Sequence, residues 1–107
     1  MSYEYTIQIG SKNAHELMQN LEKVIINFEL KYFYRNAQLL IKDPLIASSW
    51  NYDVSIKNNE NGVYHIALVG WSVLLYEVFH VVLMDQFYEI YDDDTDEKIT
   101  LKELFRI

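Results

Sequence analysis

Along the chain, Tyr3, Tyr5, Ile7 and Ile9 alternate with Glu4, Thr6 and Gln8, the period-two pattern of a strand with one buried face. Asn13 followed by Glu16 forms a capping-box signature, and Leu17, Leu21, Val24, Ile25, Phe28 and Tyr32 then recur at helical spacing. The pattern predicts an amphipathic helix from about Ala14 to Lys31. Tyr32-Phe33-Tyr34 and Leu39-Leu40-Ile41 flank a more polar patch, and Asp43-Pro44 breaks the chain, because a residue before proline avoids the helical region. No clear period marks 33–49. Trp50, Tyr52, Val54 and Ile56 then alternate with Asn51, Asp53, Ser55 and Lys57; after the polar run 58–62 a second apolar run spans Val63 to Val69. Two such runs around a polar tip predict a β-hairpin.

Ser72, after Gly70-Trp71, is a fitting N-cap for a long helix from Val73 to about Tyr91. On that helix Glu77, Asp85, Glu89 and Asp92 follow at spacings of eight, four and three, which places them near one solvent-facing stripe. The other positions are largely Val, Leu, Phe, Met and Tyr, so the helix is expected to be the central core element or an oligomer contact. Thr100 to Ile107 fits either a short helix capped by Thr100, with Glu103 at its third position, or a strand led by Ile99 and Leu101. The expected fold class is α+β: one domain over 1–107, with a small antiparallel sheet packed against an N-terminal amphipathic helix and a long C-terminal core helix.

Composition narrows the function classes. With 107 residues, half of them hydrophobic, the chain can bury one core without disulfides or a structural metal. The formal charge of -7 argues against nucleic acid and anionic membrane surfaces as partners, since both are bound largely through Lys and Arg. The absence of cysteine removes thiol chemistry and zinc fingers. Met1-Ser2-Tyr3-Glu4-Tyr5 carries no secretory pattern, and the cytoplasm is the expected compartment. The apolar stretch Val63–Met84 contains His65, Gly70, Ser72, Glu77 and His80, and reads as a strand followed by a core helix, not a membrane span.

Between Asn58 and Glu97 there is no Lys or Arg, while acidic residues accumulate toward Asp92-Asp93-Asp94-Thr95-Asp96-Glu97. A one-sign field of this kind speeds association with an oppositely charged partner. The expected partner-binding residues are therefore Glu77, Asp85, Glu89, Asp92, Asp93, Asp94, Asp96 and Glu97, with Tyr88 and Tyr91 adding rigid contact area. A competing reading takes Asp92, Asp94, Asp96 and Glu103 as EF-hand calcium ligands. It departs from that motif where Glu97 stands in the glycine position, and only four residues follow Glu103. Glu77 and His80 form a single E-x-x-H pair, too few ligands for a bundle metal site. A pocket lined by His65, His80 and tyrosines would suit a small enzyme or ligand-binding domain. His15 looks ordinary, no nucleophile motif or phosphate loop is present, and no cofactor is expected.

With an acidic face, a small α+β layout and no catalytic set, the chain resembles the immunity proteins of bacterial contact-dependent growth-inhibition systems and related polymorphic toxins. The residues that carry the resemblance are the hairpin 52–57 to 63–69, Gly70-Trp71 and the long acidic-striped helix expected to follow. It implies a non-enzymatic antitoxin that covers the active site of a basic toxin domain of a secreted effector, and such a protein can also form a homodimer.

Overall fold

The computed structural model describes residues 2–10, 16–47, 50–60 and 62–107. Seven strands form one sheet: β1 (Tyr3–Ile9), β2 (Lys31–Arg35), β3 (Gln38–Lys42), β4 (Val54–Glu60), β5 (Val63–Leu68), β6 (Tyr88–Asp92) and β7 (Lys98–Ile99). Their order is β2-β3-β4-β5-β1-β6-β7, and every neighbouring pair is antiparallel. Three helices, α1 (Leu17–Asn27), α2 (Val73–Leu83) and α3 (Leu101–Leu104), complete the chain.

The period-two pattern decides which face is covered. Tyr5 of β1 is in register with Ile66, Ile7 with Tyr64 and Ile90, and Ile9 with Tyr88 of the neighbouring strands, and Tyr5, Ile7, Ile9, Ile66, Tyr64 and Ile90 join Val54, Ile56, Leu39 and Ile41 in one core. Leu17, Leu21 and Ile25 of α1 and Leu75, Val78, Phe79, Val82 and Leu83 of α2 close that core from above. The opposite face of the sheet carries Glu4, Thr6, Ser55, Lys57, His65, Glu89, Tyr91 and Lys98 by alternation. It has no helix over it among the described residues.

Two expectations about the fold are corrected. The sheet is not small, because the region without a clear period forms its own hairpin: β2 and β3 are joined by Asn36 and Ala37, both with positive φ (53° and 63°). Such a two-residue turn matches the twist of paired strands. The helix expected to reach Tyr91 stops at Leu83, where Gln86 donates its side-chain amide to the Val82 carbonyl at 2.9 Å. Beyond it, Tyr88, Ile90 and Asp92 alternate with Glu89 and Tyr91 as a strand between β1 and β7, next to the sheet edge. There is therefore no long C-terminal core helix.

The first helix is also shorter than expected. It ends at Asn27 through a Schellman motif: Leu30 N–H donates to the Ile25 carbonyl and Glu29 N–H to the Ile26 carbonyl, with Glu29 at φ 60°. Asn13, Ala14 and His15, the expected start of this helix, lie outside the described residues. The Ser72 cap is present, with its hydroxyl accepting from Leu75 N–H at 3.1 Å. Of the two readings of the C-terminus, the helix is realised, with a full capping box between Thr100 and Glu103.

Asp53 ties the loops at one end of the sheet together. It is fully buried and accepts from Asp43 N–H at 2.9 Å, while Lys42 Nζ stands 3.3 Å from its carboxylate. Its carbonyl accepts from Val69 and Gly70 N–H. A Cβ at Gly70 would fall 2.5 Å from Asp53 Oδ1, so this close approach requires glycine.

Candidate partner-binding face

The uncovered sheet face is where the acidic residues of the N- and C-terminal strands meet. Thr6 of β1 lies opposite His65 of β5 on one side and Tyr91 of β6 on the other, and Glu4 pairs with Ala67. The backbone of Asp93, just past β6, donates to the Glu4 carbonyl at 3.1 Å and so locks the end of β6 to β1. A compact polar cluster results. Thr6 Oγ1 donates to Asp93 Oδ1 at 2.7 Å, His65 Nε2 stands 3.1 Å from Glu4 Oε1, and His65 Nδ1 stands 3.4 Å from Asp93 Oδ2. One imidazole thus spans two carboxylates, and only its protonated form can donate through both nitrogens.

This cluster fixes the root of the β6–β7 hairpin, whose tip is acidic. Asp92 organises the turn: its carboxylate accepts from Asp94 N–H at 2.8 Å, its carbonyl accepts from Asp96 N–H at 2.8 Å, and its own N–H donates to the Glu97 carbonyl. Asp96 adopts φ 59°, a conformation that Asp tolerates better than most residues. Asp93, Asp94, Asp96 and Glu97 are exposed. At the foot of the hairpin, Lys98 Nζ pairs with Glu89 Oε2 at 2.9 Å; the hydrogen bond and the charge of Lys98 lower the Glu89 pKa, and the same contact raises that of Lys98.

Nearby, the Arg106 guanidinium lies over the rings of Trp71 and Tyr3, at 3.9 and 4.7 Å from their centroids. Trp71 Nε1 in turn donates to the Leu104 carbonyl, which pins α3 against the rim of the sheet. Tyr5, beneath this corner, has its pKa raised by burial and then by the charge of Asp92. Toward the other end of the same sheet, Lys31 and Arg35 lie in β2 and Lys57 in β4. Four exposed acids, Asp93, Asp94, Asp96 and Glu97, cluster at the β6–β7 end, while Glu29, Glu60, Glu77 and Asp85 are exposed elsewhere.

The acidic residues expected to share one helical stripe are divided among three places. Glu77 lies on the solvent side of α2 and Asp85 just beyond its end, while Glu89 points to the uncovered sheet face. Asp92 to Glu97 form the hairpin. Tyr88 and Tyr91 sit on opposite faces of β6; Tyr88 packs on the core, and burial raises its pKa. The structure thus brings Glu89, Tyr91 and Asp93 together with Asp94, Asp96 and Glu97 at their edge, and leaves Glu77 and Asp85 on the other layer.

Glu4 and Thr6 were missed as site residues, and His65 was expected in a pocket with His80, not in this cluster. The alternation in β1 and β5 signals that each leaves the core face, but their meeting depends on β1 pairing with both β5 and β6, a register that no local pattern encodes.

The competing chemical readings are not supported by the geometry. Asp92 accepts from Asp94 N–H within the turn, and Glu103 Oε1 accepts from Thr100 N–H at 3.0 Å in the α3 capping box. Among the described residues, no three of His, Asp and Glu are grouped so as to hold a metal ion. His80 stacks on Tyr76 at 5.5 Å on the helical layer, while His65 lies on the opposite side of the sheet, so the two line no common pocket. A cleft of about 250 Å³ is lined instead by Phe28, Glu29, Asp43, Pro44, Leu45 and Leu74. Among the described residues no helix is long and apolar enough to cross a membrane. No family model, curated protein or solved structure matches this chain.

Proposed function

We propose that the protein is a non-enzymatic immunity protein of the cytoplasm that binds and neutralises a basic toxin domain, a nuclease, through its β6–β7 hairpin and the adjoining sheet face. The observation that carries the reading is the hairpin itself. Four exposed acids, Asp93, Asp94, Asp96 and Glu97, stand on a turn held by side-chain and backbone hydrogen bonds and rooted to β1 through Thr6. Charges on a preorganised turn lose little entropy on binding, which favours them as contacts.

A nuclease site is electropositive because it receives phosphates, and a row of carboxylates is its electrostatic complement. The acids supply fast, salt-sensitive capture, while Tyr91 beside the hairpin supplies rigid contact area that slows release.

The test uses the basic C-terminal domain of the large secreted protein encoded immediately upstream, where one exists. Mixing the two chains is expected to give a 1:1 stoichiometry of sites and to abolish the toxin's activity. Full toxin activity in the presence of excess protein would refute the proposal.

A further inference from the structure

The solvent side of α2 is not the charged surface that an outer helix face normally presents. Val73, Glu77, His80 and Met84 are exposed and follow at spacings of four, three and four, directly opposite the buried Leu75, Phe79 and Val82. Met84 and Val73 are each 60% exposed, and Val81, at 43%, lies on one flank. Alternating steps of four and three are the spacing of a two-stranded coiled-coil seam. In an antiparallel pair of identical helices, the first seam position of one meets the last of the other. Here that places Val73 against Met84 of the second copy and Glu77 against His80 of the second copy, each twice.

We propose that α2 is a homodimer surface on which two copies pack antiparallel through this seam. The match is self-complementary, as a two-fold interface must be, because one residue pair is read in both directions. Apolar side chains face apolar ones, and each carboxylate faces an imidazole. His80 is held for this role by stacking on Tyr76, with ring planes 20° apart. In the same register Val81 on the flank lies across from Tyr76 of the second copy. The surface lies on the helical layer, so the dimer leaves both acidic hairpins and both uncovered sheet faces open to other partners.

Sedimentation equilibrium over a concentration series tests the arrangement. Wild-type protein is expected to self-associate reversibly, and Met84→Lys and His80→Glu are each expected to weaken the dimer by about tenfold or more. Exchanging the pair in one chain, Glu77→His with His80→Glu, restores both carboxylate–imidazole contacts only in the antiparallel register and should recover most of the affinity. Circular dichroism confirms that each variant is folded, as expected for exposed positions. Wild-type protein that stays monomeric up to about millimolar concentration, or an exchanged pair that dimerises no better than His80→Glu alone, would overturn the proposal.

Discussion

At the scale of single residues, the chain is short of the usual punctuation. It holds three glycines, of which Gly62 takes a positive φ of 79°, and the other left-handed positions among the described residues fall on Glu29, Asn36, Ala37, Asp96 and Arg106. Ala37 has neither the freedom of glycine nor a polar side chain to ease a φ of 63°. Ala37→Gly should therefore stabilise the protein by about 0.5 kcal/mol, the relief of the strained conformation less the greater entropy of an unfolded glycine. Urea denaturation reads this directly, and a loss of stability would mean that the turn does not carry that strain. Gly70 is the converse case. Gly70→Ala drives a methyl group into the Asp53 carboxylate and separates it from Lys42 and Asp43, so a loss of about 3 kcal/mol is expected on the scale of broken buried ion pairs. A variant as stable as the wild type would show that the loops move aside without cost.

At the scale of elements, what the sequence made legible depended on local signals. β1, the β4–β5 hairpin, the Ser72 cap and the Thr100–Glu103 capping box were readable because each depends on a few adjacent residues. The ends of α1 and α2 were not, because Glu29 stands where a glycine would normally announce the stop and nothing comparable follows Leu83. β6 was hidden for a related reason: Tyr88 and Ile90 also fit the helical spacing of the run before them. Half of the candidate site was legible, the acids of 89–97, since charge is a property of composition. Its other half, Glu4, Thr6 and His65, arises from pairing between distant strands. The Ser72 cap supplies an element-scale expectation: Ser72→Ala leaves Leu75 N–H unsatisfied and should cost about 1 kcal/mol. Thermal melting checks it, and an unchanged midpoint would mean that the cap is redundant.

At the scale of the whole molecule, a continuous seven-stranded sheet carries its helices on one side and has none over the other among the described residues, with Asp93, Asp94, Asp96 and Glu97 exposed at one end. The same architecture shapes the response to alkali. Burial raises the pKa values of Tyr5, Tyr64 and Tyr88, and burial together with a 2.6 Å hydrogen bond to Glu22 raises that of Tyr34. Because these values lie above the unfolded tyrosine value of about 10, stability is intact below that pH and falls as the pH climbs through the folded values. Denaturation midpoints should thus drop between about pH 10 and 12, with phenolate absorbance lagging behind that of free tyrosine. Midpoints constant across that range would contradict the burial of Tyr5 and Tyr64.

The central claim is that the hairpin captures a basic partner electrostatically. Its most direct measurement is the association rate of the protein with the toxin domain as a function of salt, for wild type and for the combined Asp93→Asn, Asp94→Asn and Asp96→Asn variant. The wild-type rate should fall steeply with ionic strength. The variant should associate about tenfold more slowly at low salt and converge on the wild type at high salt, with dissociation little changed. A rate indifferent to salt, or a variant that binds as fast as the wild type at low salt, would contradict the account.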